Sequence, residues 1–237
     1  MITSNTLYQF ILTSLDVKRS VSCCRFGDGE YLVANMTGDV SYRKHLGYIP
    51  DVKEQHEISE NIILAARCCD MMGVTQNTGK QWGASRDYFL NLNTNAIITM
   101  ADYHTEFLEK GYLDEILKLV DKLLYISGHN LTKGFRRKYP NIKTIKRINI
   151  PLQYKYYGNQ IKKHYPDTFN ETIKALQSED LTGYLVLVGA GFVGKMYVIE
   201  AARSGAVAVD MGSVFDRLSG KITRGKLKGT ESKEYKL

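Results

Sequence analysis

A short apolar run followed by a longer amphipathic stretch recurs along this chain, and that alternation leaves few architectures open. The candidate strands are Val21–Phe26, Ala96–Met100, Leu123–Ser127, Thr144–Ile150, Tyr184–Val188 and Ala206–Met211. They are brief and rich in Val, Ile and Leu, as strands covered on both faces of a parallel sheet should be. Helical periodicity lies between them. In Glu54–Met72 the apolar positions Ile58, Ile62, Ala65, Ala66, Cys69 and Met72 share one face. Tyr103–Val120, Phe169–Leu176 and Phe192–Arg203 behave similarly, and Leu7, Phe10, Ile11, Leu12 and Leu15 make the stripe of an N-terminal helix. Strand alternating with helix means right-handed βαβ units. The predicted fold class is α/β: a single Rossmann-like, doubly wound, mostly parallel sheet of about six strands. Ligands of such sheets bind at the carboxyl ends of the strands.

Composition narrows the setting. The chain is 43% hydrophobic and 24% charged, ordinary for a folded globular protein. No apolar run approaches the ~20 residues that span a bilayer. Met1–Ser14 lacks the basic region and small-residue cleavage site of a signal peptide, so a cytoplasmic address is expected. The net charge of +7, partly carried by a basic tail at Lys221–Leu237, suits an anionic partner, or it only keeps the chain soluble. No five consecutive Lys or Arg occur, and no nucleic-acid partner is expected. Peripheral membrane contact stays open; a transmembrane segment does not. The adjacent pairs Cys23-Cys24 and Cys68-Cys69 lack zinc-ligand spacing and read as core, one thiol of each pair pointing inward.

Chemistry is expected where strands end. Arg25-Phe26-Gly27-Asp28-Gly29-Glu30 follows the first strand. Two carboxylates one residue apart between glycines can turn toward one point. Hard cations such as Mn²⁺ or Mg²⁺ take a few carboxylate oxygens and complete their shell with phosphate oxygens. Arg25 adds a fixed positive charge. The alternative is a glycine turn with Glu30 serving a helix N-terminus. Gly189-Ala190-Gly191-Phe192-Val193-Gly194 forms a full G-x-G-x-x-G between a strand and a helix, with Asp210 ending the next strand. Such a turn lets backbone approach a pyrophosphate. Alone it reads as an NAD(P) site, but its place in the last βαβ unit leaves no room for a nicotinamide half. The glycines could also serve only tight helix–strand packing.

Lesser signals surround these. Ser127-Gly128-His129-Asn130 precedes Lys133, Arg136, Arg137 and Lys138 and could hold a base or phosphate. Asp102, His104 and Glu106 follow the second candidate strand, and any could be a general base. Tyr154, Tyr156 and Tyr157 could stack on a base or sugar, and Trp82 with Arg86 could face an acceptor.

Three stretches occur together in one order: Arg25–Glu30, Ile145–Pro151 and Val188–Gly212. In this the chain resembles the GT-D-type glycosyltransferases, formerly DUF1792, from about Val21 to Gly220. The resemblance implies a Rossmann-like domain over residues 1–220, a metal-binding D-x-E at Asp28 and Glu30, and a nucleotide-sugar donor, often a UDP-sugar. Members of that family carry Asp-Ile-Gly-His where this chain has Asp210-Met211-Gly212-Ser213, and often Gly-Pro-Thr-Ala at the glycine turn.

The expected function is therefore metal-dependent transfer of a sugar to a glycan, glycoprotein or lipid-linked acceptor. Mn²⁺ or Mg²⁺ on Asp28 and Glu30 would neutralise the leaving diphosphate. Arg25, Gly27, Ser127, Gly189, Gly191, Gly194, Lys195, Asp210 and Gly212 would bind the donor, and Asp102 or Asp216 would activate the acceptor hydroxyl. The rivals are an NAD(P)-dependent oxidoreductase, a nucleotide-binding module without catalysis, and a basic nucleic-acid binder.

Overall fold

The computed structural model describes residues 1–76, 79–157, 162–221, 223 and 234–237. Its strands are β1 (Val21–Phe26), β2 (Met71–Val74), β3 (Ile97–Met100), β4 (Lys122–Ile126), β5 (Thr144–Ile148), β6 (Leu185–Val188) and β7 (Val207–Asp210). They form one sheet in the order β3-β2-β1-β7-β6-β4-β5, with every pairing parallel. The α/β, Rossmann-like expectation holds, with seven strands rather than about six.

Side-chain alternation along the central strands divides the interior in two. Cys23, Leu123, Tyr125, Leu185, Leu187, Val207 and Val209 face one layer, packed with Leu7, Ile11, Phe107 and Phe135. Cys24, Leu124, Ile126, Val186, Val188 and Ala208 face the other, packed with Ile58, Ile62, Phe89 and Tyr197. Cys23 and Cys24 are therefore both buried, on opposite faces, whereas only one inward thiol was expected. In the second pair Cys69 is buried and Cys68 exposed.

The helix that reads as Glu54–Met72 spans Val52–Cys68, and the missed strand β2 starts at Met71. A reciprocal cap opens this helix: Glu54 N–H donates to Asp51 Oδ1 (2.8 Å), and Asp51 N–H to Glu54 Oε2 (3.2 Å). Asp70 breaks the pattern beyond its end. Its Oδ2 accepts from Ser22 N–H (2.8 Å) and Ser22 Oγ (2.7 Å), tying the entry of β2 to that of β1. Cys69 and Met72 continue a helical period by coincidence, because a four-residue strand buried on both faces has no period of its own. Tyr103–Val120 is likewise two helices, Tyr103–Glu109 and Tyr112–Leu119, separated by Gly111 at φ +78°. The N-terminal helix is Ser4–Asp16, with Leu7 and Ile11 fully buried.

The helices after β1 and β6 pack on the Cys24 face of the sheet, and those after β4 and β7 on the Cys23 face. Neighbouring central strands thus send their chains to opposite sides, which opens a crevice above their carboxyl ends. Among the described residues no helix is long and apolar enough to cross a membrane. Most of the basic tail expected at residues 221–237 lies outside the described residues.

Candidate active site

A cavity of about 840 Å³ occupies that crevice, and the loops leaving all seven strands contribute to its wall. From β1 come Arg25 to Glu30, from β3 Asp102 and His104, and from β4 Ser127, Gly128 and His129. The β5 loop adds Gln153, the β6 turn Gly189 to Val193, and the β7 loop Gly212, Ser213 and Asp216. The short helix Asp39–His45, which sequence reasoning passed over, adds Lys44 and His45. Its only signal was the run Arg43-Lys44-His45. Volume and lining suit a ligand of nucleotide-sugar size, since such pockets run to roughly 300–1,000 Å³.

Beneath the β1 corner lies a closed set of charges. Lys195, 1% exposed, places Nζ 2.5 Å from Asp210 Oδ2 and 3.0 Å from Glu30 Oε1. Arg25 Nε lies 3.7 Å from the same Asp210 oxygen. Two cations face two carboxylates, so the four balance. Burial pushes the Glu30 carboxyl up, but the charges of Lys195 and Arg25 outweigh it and hold it at about 2. Burial pulls the Lys195 ammonium down, and Asp210 with Glu30 more than reverses this, so it stays charged. Glu30 Oε2 is also engaged, accepting from Gly27 N–H at 3.0 Å.

This arrangement separates the expected site residues. Arg25, Gly27, Asp28, Glu30, Asp102, Ser127, Gly189, Gly191, Gly212 and Asp216 reach the cavity wall. Gly194, Lys195 and Asp210 stand behind it. Arg25 crosses from β1 to the β3 loop, where Nη1 donates to the Ala101 carbonyl (3.0 Å) and lies 2.8 Å from His104 Nδ1. A side chain at Gly212, φ +47°, would strike that guanidinium: its Cβ would stand 2.4 Å from Arg25 Nη2.

The glycine turn answers first to protein neighbours. A Cβ on Gly189 would lie 2.3 Å from the Phe215 ring, and one on Gly194 would lie 2.7 Å from the Ala190 Cβ. Gly191 takes φ +60° and passes the His45 ring, where a Cβ would meet Nδ1 at 2.8 Å. Asp210, the acid a dinucleotide site would turn toward a ribose, is 3% exposed and held by Lys195. The packing alternative therefore accounts for Gly189 and Gly194; Gly189 and Gly191 border the cavity, and Gly194 does not.

For a divalent cation, Glu30 is a poor donor because both its oxygens are engaged. Asp28, half-buried on the wall, accepts from Gly29 N–H at 2.9 Å through Oδ1. Among the described residues no three His, Cys, Asp or Glu side chains cluster in a metal-binding arrangement. Of the D-x-E pair, Asp28 alone is left for a cation on the wall, so such a cation would take most of its shell from a ligand's own phosphate oxygens.

Sequence reasoning also missed a pairing. His129 Nε2 lies 2.8 Å from Asp216 Oδ1, although 87 positions separate them. Four of the five histidines, His45, His104, His129 and His164, line the cavity. His164 is buried beside Tyr197 OH (3.1 Å), and burial lowers its imidazole to about 4. Gln153 Nε2 is buried in the wall with no hydrogen-bond partner among the described residues.

A parallel seven-stranded sheet, helices on both faces and a polar cavity over the strand ends define a Rossmann-like fold with a ligand site in the usual position. No protein-family model and no curated protein matches the chain. Solved structures do. A domain of unknown function 1792, described as having a distinct glycosyltransferase fold, aligns over 100% of this chain and 89% of its own, with a TM-score of 0.61 at 14% identity. A DUF1792 glycosyltransferase from Streptococcus sanguinis aligns over 86% of this chain and 80% of its own, with a TM-score of 0.53 at 20% identity. The chain shares the DUF1792 fold, as the resemblance implied.

Proposed function

We propose that this chain is a glycosyltransferase that moves a sugar from a nucleotide diphosphate sugar, a UDP-sugar, to a glycan, glycoprotein or lipid-linked acceptor. The observation that carries the reading is the wall of the cavity. It brings Arg25, Lys44 and His45 together with the side-chain-free Gly191 and the carboxylate of Asp28 at the sheet's carboxyl edge. Cations and exposed backbone suit a diphosphate. One carboxylate suits a cation that the diphosphate itself helps to bind. The fold shared with structures described as glycosyltransferases supports the same class of reaction.

Arg25 is held rigid by Asp210, Ala101 and His104, so its charge is fixed before a donor arrives. Preorganised charge of this kind stabilises a leaving group without reorganisation during reaction. Mn²⁺ or Mg²⁺ on Asp28, when bound, would neutralise the diphosphate as it departs. Glu30 acts on the protein side, locking the Gly27–Glu30 turn to Lys195.

A melting screen of nucleotide sugars, each with and without Mn²⁺, tests the reading. The expected result is stabilisation by UDP and UDP-sugars, with release of UDP on turnover. Stabilisation by NADH with no response to any nucleotide sugar would replace it with an oxidoreductase.

A further inference from the structure

The pair His129–Asp216 stands in the cavity wall apart from the charges around Arg25. His129 sits in the loop after β4, and its backbone N–H donates to Ser127 Oγ at 3.2 Å. Asp216 sits on the helix Val214–Leu218 after β7. Strand β6 lies between β7 and β4 in the sheet, so the contact must pass over the β6 turn. Gly189 permits this, because Phe215 occupies the space its side chain would take. The second Asp216 oxygen is anchored by Thr223 Oγ1, which donates at 2.6 Å. A carboxylate accepts and cannot donate, so Nε2 carries the imidazole proton and Nδ1 is the basic nitrogen. A ring oriented by a fixed carboxylate at the edge of a ligand cavity has the form of a general base.

We propose that His129 takes the proton of the attacking acceptor hydroxyl and that Asp216 is its positioning residue; this rests on the glycosyltransferase reading above. The hydroxyl O–H bond breaks and its proton passes to Nδ1. The freed oxygen pair bonds the anomeric carbon of the donor sugar. The bond from that carbon to the diphosphate breaks, and its electron pair leaves with the nucleotide diphosphate. Direct displacement of this kind inverts the anomeric configuration. Asp216 favours the protonated ring that results. Behind the loop, Arg147 of β5 donates to the carbonyls of Ser127 (3.3 Å) and Gly128 (2.8 Å).

The test measures UDP release with UDP-glucose, UDP-galactose and UDP-N-acetylglucosamine, offered a panel of free mono- and disaccharides. It compares the whole chain with His129→Gln and Asp216→Asn. His45, His104, Asp28 and Asp102 share the same wall, so the decisive comparison is between the pH profiles of wild type and variants. Wild-type activity should fall as acid protonates the imidazole, and the residual activity of His129→Gln should lack that limb. His129→Gln should lower kcat about a hundredfold or more with KM and UDP binding little changed. Asp216→Asn should lower kcat at least about tenfold, by turning the ring or its tautomer, and it serves if His129→Gln does not fold. The product should carry the inverted anomeric configuration by NMR. Wild-type kcat and an intact acid limb in His129→Gln, or a retained configuration, would overturn the proposal while sparing the glycosyltransferase reading. Neither UDP binding nor UDP release by the wild type with any donor would overturn both.

Discussion

At Lys195 a residue that follows a phosphate-binding pattern ends up serving the protein instead. Its ammonium is buried between Asp210 and Glu30, and the second carboxylate of the D-x-E turn is drawn inward with it. Asp28 and Glu30 should therefore respond differently to mutation. Asp28→Asn should leave the melting temperature close to wild type and abolish any stimulation of donor binding by Mn²⁺, measured by calorimetry. Glu30→Gln should destabilise the fold by about 3–5 kcal/mol, because it leaves a buried cation half paired; chemical denaturation at neutral pH reads this directly. The same pair sets an acid dependence. The Glu30 carboxyl is held at about 2 in the folded chain, below its ordinary value of 4.5. A depressed carboxyl stabilises above the unfolded value and loses that contribution as pH falls toward the folded one. That contribution is on the order of 3 kcal/mol. Urea midpoints taken between about pH 5 and pH 2 should fall more steeply in wild type than in Glu30→Gln; parallel curves would mean that the ion pair does not form.

At the scale of elements, the glycine turn after β6 shows how one motif serves two demands. A Cβ at Gly189 has no room beside Phe215 and the Gly212 carbonyl, at 2.3 and 3.0 Å. Gly189→Ala should then cost about 1–3 kcal/mol through overpacking against the helix Val214–Leu218. Gly191→Val strains a backbone at φ +60° and meets His45 at the cavity wall, so it should weaken UDP-sugar binding as well as stability. Equal loss of binding per unit of destabilisation in both variants would argue against a role for Gly191 at the ligand. The strands show what pattern reading can and cannot resolve. Val21–Phe26 and Leu185–Val188 are dense in apolar side chains and stand out from their neighbours. Met71–Val74 does not, being short, holding a glycine and following a helix whose period it prolongs.

For the molecule as a whole, the β1 and β6 loops converge on one cavity, so a cation and a diphosphate should bind there as a unit. A ligand bound only by the native state stabilises it by about 2.7 kcal/mol at a hundredfold excess over Kd. In a chain of this size that is a melting shift on the order of several degrees. UDP with Mn²⁺ should raise the melting temperature by more than the two separate shifts added, and Asp28→Asn should remove the excess. Strictly additive shifts in wild type would show that metal and nucleotide do not share a site.

The alternation of apolar runs and amphipathic stretches was enough by itself to determine a parallel α/β sheet, because burial on both faces is a local demand on composition. It also placed the chemistry at the strand ends and picked out Arg25, Asp28, Ser127, Gly191 and Asp216, all of which reach the cavity. What it could not determine was partnership. Glu30 meets Lys195, and His129 meets Asp216, only because strand order leaves β7 alone between β1 and β6, and β6 alone between β7 and β4. Sequence separation carries no record of those adjacencies. Whether a carboxylate faces a cation inside the wall or a ligand outside it depends on a few ångströms of position, and only the packed sheet supplies them.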